Sequence, residues 1–325
     1  LQILNGNYSV IQDFIVYQIR LFKTKDAGHG GFLLYHFVIL LIGVFPASLF
    51  AIKSFKRRYF EESIQNNYKQ LMAILFWCVL ILFTIVKTKI VHYSSMCYFP
   101  LTFLAASVIY KIINYKEKFN TWLIISISII GFVYATMISI LPIIEKNKSF
   151  LINKGVFNDS FAIASFMADA GYSGNEFLIG IVLLIALLFV IFFRIIKNYR
   201  ASFIALFLGC ILFIDLTIIF ITPKIEKYSQ NAAIEFYKSL EKKDCYVTTL
   251  KYKSYAQYFY TNMQIPDNNN SKNRNWLLSG NIDKDAYFVV KNNKLNSILD
   301  AYEGVELLYE KNGYAFLVRK KKNYK

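Results

Sequence analysis

Charge of either sign is scarce in this chain of 325 residues: only 18% are Asp, Glu, Lys or Arg, while 56% are apolar. That shortage excludes an ordinary soluble fold, which needs polar surface to wrap its core. A mean hydropathy of +0.37, with 30 Phe and 24 Tyr, sends the search to membrane spans first. Cysteine is thin as well. Cys78, Cys97, Cys210 and Cys245 share no CxxC spacing, and three lie in or beside apolar runs, so neither a disulfide framework nor a thiolate metal site is supported. No phosphate-binding loop, HExxH or GxSxG occurs. Gly28, His29, Gly30 and Gly31 follow no strand and precede a membrane helix, which excludes a dinucleotide fingerprint. Acidic residues are the rarer sign, 21 against 37 Lys plus Arg, for a net charge of +16. Such an excess points to nucleic acid unless the cations cluster beside apolar spans, where they set topology. The chain opens on Leu1 with no basic, hydrophobic leader and reads as a piece of something longer.

A helix needs about 20 apolar residues to cross the hydrocarbon core. Six stretches approach that length: Phe32 to Ile52, Leu71 to Val86, Tyr93 to Tyr110, Trp122 to Ile144, Phe177 to Phe193 and Ala201 to Ile221. The second and fifth are short. One alternating set of connections holds Lys53, Lys56, Arg57, Arg58, Lys69, Lys111, Lys116, Lys118, Arg194, Lys197 and Arg200; the other holds Lys23, Lys25, Lys87, Lys89, Lys146, Lys148 and Lys154. Lys and Arg concentrate on the cytoplasmic side, so the first set is expected there. The segment before Phe32, the Lys87 to His92 connection, the loop from Glu145 to Glu176 and everything after Thr222 are then expected outside.

These features predict an α-helical polytopic membrane protein with about six transmembrane helices and a C-terminal extracytoplasmic α/β domain. The expected divisions are an outer juxtamembrane loop over 1–31, a transmembrane domain over 32–222 and a soluble domain over 223–325. In the last, Ala232, Ala233, Phe236, Tyr237 and Leu240 stand at helical spacing, Cys245 to Leu250 and Ala286 to Val290 are β-rich, and Leu307 to Tyr309 pairs with Ala315 to Val318 across Asn312-Gly313. Phe161, Phe166 and their neighbours make residues 147–174 apolar without spanning length. That pattern suits either a helix in the interface plane or an ordinary packed helix.

The stretch richest in chemistry is Lys87-Thr88-Lys89-Ile90-Val91-His92-Tyr93. Two ammonium groups, an imidazole and a phenol in one turn between spans suit an anionic group held at the bilayer surface. Lysines that merely snorkel from span ends would give the same pattern. Arg20, in Tyr17-Gln18-Ile19-Arg20-Leu21-Phe22, is a further cation. Asp215 lies inside the last span, where an ionisable group is expensive and marks a possible intramembrane polar site. His36, near the start of the first span, reads as a satisfied interfacial histidine. Asp13 and Asp26 have no evident partner.

The Lys-Thr-Lys-Ile-Val-His-Tyr turn, the Tyr35 to Phe50 span with Gly43-Val44-Phe45-Pro46, and the Arg20-Leu21-Phe22 segment resemble the later half of bacterial polyprenyl-phosphate-dependent membrane glycosyltransferases. The relevant group contains the aminoarabinose transferases that modify lipid A and, more distantly, the protein O-mannosyltransferases. In that family the turn usually reads Thr-Lys-Leu-Pro-His-Tyr and the preceding span ends in Leu-Phe-Pro-Trp-Ser. This sequence keeps Lys89, His92, Tyr93, Pro46 and Ser48, with Val91 and Ala47 where Pro and Trp are common. The resemblance implies a C-type glycosyltransferase that moves a sugar from a polyprenyl-phosphate donor to a lipid, protein or glycan acceptor at the outer face of the cytoplasmic membrane. It implies that Lys89 and Tyr93 contact the lipid phosphate, with Arg20 and Lys87 as further cations and His92 as an orienter. The catalytic carboxylate would lie in an early loop upstream of Leu1. Relatives often carry a metal-binding His shortly before the Arg, so the resemblance leaves a divalent metal open as a cofactor; here Val16, Tyr17 and Gln18 occupy that neighbourhood, and no metal ligand is assigned. Two rival classes are a transporter or flippase subunit for lipid-linked or anionic cargo, and a noncatalytic membrane scaffold.

Overall fold

The computed structural model describes residues 6, 8–24, 30–56, 64–263 and 268–321. Lys25, Asp26, Gly28, His29, Arg57 and Arg58 fall outside them. The chain divides into two compact units, one formed by Leu1–Ala135 with Val182–Leu212, the other by Thr136–Ile181 with Phe213–Lys325.

Apolar runs set the helices. In order they are α1 (Tyr8–Lys23), α2 (Tyr35–Gly43), α3 (Ala47–Lys56), α4 (Ile64–Ile85), then a 3₁₀ segment (Val91–Cys97) continuing into α5 (Tyr98–Asn114). Next come α6 (Thr121–Ser139), α7 (Leu141–Lys146), α8 (Lys148–Asn153), α9 (Ser160–Phe166), α10 (Phe177–Ile195) and α11 (Tyr199–Phe220). Among the described residues five helical stretches are long and apolar enough to cross a membrane, six if α2 and α3 count as one span. The chain is thus a polytopic helical membrane protein. The second span is not short. Its helix reaches back to Ile64 through polar residues that a hydropathy window does not count.

The first span departs from a continuous helix. The chain bends by 118° between α2 and α3. Pro46 brings no N–H to the helical ladder and follows a cis peptide bond from Phe45. A break at membrane depth is tolerable only where the freed carbonyls find donors. Here the amides of Val44 and Phe45 turn back onto the carbonyls of Leu40 and Ile42, Ser48 Oγ donates to Leu41 O at 2.6 Å, and Tyr134 OH donates to Ile42 O at 2.7 Å. The pair still runs from one end of its unit to the other. Gly31, just before α2, packs against the Lys89 stem in the turn that precedes α5, whereas Lys53 of α3 donates to Lys118 O at 2.9 Å in the loop that follows α5. Arg194 reaches that same loop, donating to Phe119 O at 3.2 Å, so three of the basic connections gather at one end. Between α10 and α11, a Cβ on Gly209 would lie 2.2 Å from that of Ala186, so only glycine permits this approach.

In the other unit, α12 (Thr222–Ser229) and α13 (Asn231–Ser239) lead into β1 (Tyr246–Thr249), α14 (Ala256–Tyr260), α15 (Arg274–Ser279), β2 (Ala286–Lys291), α16 (Leu295–Leu299), β3 (Glu306–Lys311) and β4 (Tyr314–Arg319). The strands form one sheet in the order β1-β2-β4-β3, with β1 parallel to β2 and the other pairings antiparallel. Alternation along β2 sorts the core. Ala286, Phe288 and Val290 pack with Leu277, Leu278, Leu295 and Ile298 of α15 and α16, while Val289 faces Ala232, Ala233, Phe236, Tyr237 and Leu240, in and just after α13. The β3–β4 hairpin turns at Asn312 and Gly313, whose φ angles of 49° and 83° are those a two-residue hairpin demands. Of the apolar 147–174 segment, Phe161 stacks edge-on with Tyr314 at 5.2 Å and Ser165 donates to Asn312 O at 3.2 Å, so α9 is seated on this hairpin. Phe150 and Val156 stay about three-fifths exposed.

Candidate functional site

Lys89 is 6% exposed, and its Nζ donates to the carbonyls of Phe83 at 2.9 Å and Thr84 at 2.7 Å. These carbonyls belong to the last turn of α4, where a helix end leaves acceptors unpaired and carries partial negative charge. Lys89 is therefore a buried helix cap and does not snorkel. An ammonium has three donors, and the two carbonyls account for two of them. Burial holds the Lys89 pKa below the ordinary lysine value.

Phe83 gathers the neighbourhood. The Tyr93 ring, half-buried on the 3₁₀ segment, packs 5.4 Å from the Phe83 ring, and His36 lies 6.2 Å from it on the other contact. His36 is fully buried on the first turn of α2, edge-on to Tyr35 at 5.1 Å, and neither ring nitrogen has a hydrogen-bond partner among the described residues. The expectation of a satisfied interfacial histidine is thus overturned: a ring wrapped by Tyr35 and Phe83 finds no hydrogen-bond partner among the described residues.

Helix α1 is stitched to the same turn. The amides of Lys87 and Thr88 donate to the carbonyls of Phe22 and Leu21 at 3.2 and 3.3 Å, and Thr88 Oγ1 donates to Thr24 O at 2.7 Å. That brings the Arg20 segment to the Lys89 turn. Arg20 itself is exposed, with its guanidinium 4.9 Å from the Tyr17 ring, and Lys87 and His92 are exposed. Asp215 is on α11, in the other unit, with an exposed side chain. Among the described residues no group of three or more His, Cys, Asp or Glu is placed to hold a metal ion. Val16, Tyr17 and Gln18 offer no imidazole or carboxylate near Arg20, so the residues present do not fit a metal there.

An apolar groove of about 410 Å³ lies between α2, α3, α4 and α5, lined by Phe37, Leu40, Phe55, Trp77, Leu80 and Leu101 among others. Its Leu80 is one helical turn from Phe83 and Thr84, and its Phe37 follows His36 directly. Lys89 does not line this groove; it caps α4 about one helical turn beyond the groove's Leu80. A larger cavity, about 670 Å³, belongs to the sheet-bearing unit, lined by Thr248, Tyr258, Lys272 and Arg274, and shares no residue with this motif.

No protein-family model matches the chain, and no curated protein matches it. Among solved structures it is similar to ArnT from Cupriavidus metallidurans bound to undecaprenyl phosphate, with a TM-score of 0.57 and 11% identity over 94% of this chain. The chain spans 55% of the length of that protein. The likeness is one of fold: the chain shares the helical membrane-protein architecture of that structure.

Proposed function

We propose that this chain is part of an integral membrane glycosyltransferase that moves a sugar from a polyprenyl-phosphate donor to an acceptor at the outer face of the cytoplasmic membrane. The observation that carries the reading is the buried Lys89 ammonium beside an apolar groove. An isoprenoid chain suits the groove, and the phosphate suits the N–H that Lys89 does not spend on α4. In the reaction the acceptor oxygen attacks the anomeric carbon, the bond from that carbon to the phosphate oxygen breaks, and the lipid phosphate departs as an anion. Lys89 and Tyr93 stabilise the charge that grows on it, with Arg20 and Lys87 adding to the local field and His92 orienting the head. The acceptor proton passes to a carboxylate that the resemblance puts upstream of Leu1. The basic connections support keeping this turn, residues 1–31 and the 223–325 domain outside.

The broken α2–α3 span is the one observation that favours a transporter, since broken helices build ion sites from unwound carbonyls. Here the carbonyls of Leu41 and Ile42 accept from Ser48 and Tyr134, so these two are spent on holding the bend. Two variants of the full-length protein test the proposal. Lys89→Ala should cost transfer at least about 100-fold. Tyr93→Phe, which keeps the ring against Phe83, should cost about tenfold at unchanged thermal stability. Wild-type turnover by both, in membranes where both are inserted, would sink it.

A further inference from the structure

The first turn of α2 holds a group that the reading above does not use. His36 is 0% exposed, and both of its ring nitrogens lack partners among the described residues. An unpaired buried polar group is costly, and an apolar ring of the same shape would avoid the cost. Phe83 links the imidazole to the buried ammonium: its carbonyl accepts from Lys89 Nζ at 2.9 Å, and its ring centroid lies 6.2 Å from that of His36. Gly31 packs against both the Lys89 stem and the Tyr35 ring, and Tyr35 is edge-on to His36, so one short segment reaches both groups. Polar neighbours of this cluster among the described residues include Tyr35, edge-on to the imidazole, Tyr93, whose ring packs 5.4 Å from Phe83, and Thr84, whose hydroxyl donates to Leu80 O.

We infer that His36 is a positioning residue for the lipid phosphate, donating a ring N–H to a phosphate oxygen that Lys89 holds on its other side. This inference rests on the reading of the Lys89 turn as a phosphate site. A monoanionic or dianionic phosphate supplies several acceptors at once, so a single ligand satisfies both the spare N–H of Lys89 and the idle imidazole. Tyr35, half-buried on the first turn, is the contact that rotates to admit it. The neutral imidazole is enough for this role.

Stability and binding should therefore move in opposite directions. His36→Phe replaces two unpaired nitrogens by carbon at nearly equal shape, so the ligand-free chain should melt at the same temperature or higher. Its affinity for undecaprenyl phosphate in phosphatidylcholine nanodiscs should fall about tenfold or more, the loss expected for one hydrogen bond to a charged group. His36→Gln, which keeps an N–H at the far end of the side chain, should recover part of that affinity. Phosphatidylglycerol should be bound equally by wild type and both variants. Wild-type affinity in His36→Phe, or a His36→Gln that binds no better than His36→Phe, overturns the inference. If wild type itself does not bind undecaprenyl phosphate, or Lys89→Ala binds as wild type does, the phosphate reading fails first. If Lys89→Ala loses binding while His36→Phe keeps it, only the role of His36 falls.

Discussion

In the unit built on Leu1–Ala135 and Val182–Leu212, Lys89 keeps one N–H unassigned and His36 keeps two idle nitrogens. In the unit built on Thr136–Ile181 and Phe213–Lys325, Glu145 and Glu176 have every carboxylate oxygen occupied. Glu145 accepts from Lys148 Nζ at 2.9 Å, from the Ala170 amide and from the Tyr228 hydroxyl. Glu176 accepts from the amides of Ser173 and Gly174, from Ser173 Oγ and from Lys224 Nζ, all within 3.0 Å. Both clusters are buried and both join charged groups to aromatic rings. The difference lies in satisfaction. A network whose charged groups are all matched by opposite charge holds α12 to the 168–176 segment, whereas a buried ammonium with no carboxylate beside a histidine with no partner among the described residues is matched only when an anion arrives.

The largest test of that contrast is Glu176→Ala. It strands Lys224, four-fifths buried, and should cost its unit about 3–5 kcal/mol. Faster hydrogen exchange in α12, with undecaprenyl phosphate affinity unchanged, is the expected result; a loss of affinity would mean that the two clusters are not separate in role.

Acid should act on the same network with a predictable sign. Burial alone would raise the Glu176 pKa, but the Ser173 amide and the Lys224 ammonium outweigh it and hold the carboxyl at about 2 against an ordinary 4.5. A depressed acid stabilises the fold fully above the unfolded value and loses that contribution as pH falls from about 4.5 toward 2. The loss is up to about 3 kcal/mol. Thermal unfolding between pH 2 and 7 should show it in the wild type, and Glu176→Gln should flatten that limb of the curve.

Much of the contrast was invisible in the sequence for a physical reason. Spans are legible because apolar runs are local, and so are the Asn312-Gly313 hairpin and the stripe of Ala232, Ala233, Phe236, Tyr237 and Leu240, which the structure places in a single core. The pairing of Glu145 with Tyr228 joins residues 83 apart, and no local pattern announces it. Lys89 read equally well as a snorkelling anchor or a phosphate ligand, because its grip on the end of α4 depends on how the turn folds back. His36 reads as satisfied in the sequence, since a histidine near a span end usually is. The bend at Pro46 lay inside an apolar run that reads the same whether straight or broken.

That bend supplies the smallest and sharpest test, because it puts satisfied polar groups inside the unit that also holds the idle ones. If satisfaction marks architecture, Ser48 and Tyr134 should behave like Glu176 and unlike His36. Removing the hydroxyl in Ser48→Ala leaves Leu41 O without its 2.6 Å donor in an apolar setting, and Tyr134→Phe does the same to Ile42 O. Each should cost about 1 kcal/mol in thermal unfolding and leave lipid-phosphate affinity within about twofold. The two carbonyls are consecutive in one bend, so the double variant should show a coupling between the losses of about 0.5 kcal/mol or more. Opposite signs for His36→Phe and Ser48→Ala on the same chain, one melting no lower and binding weakly, the other melting lower and binding normally, would separate ligand-facing from fold-facing polarity within a single bundle of helices.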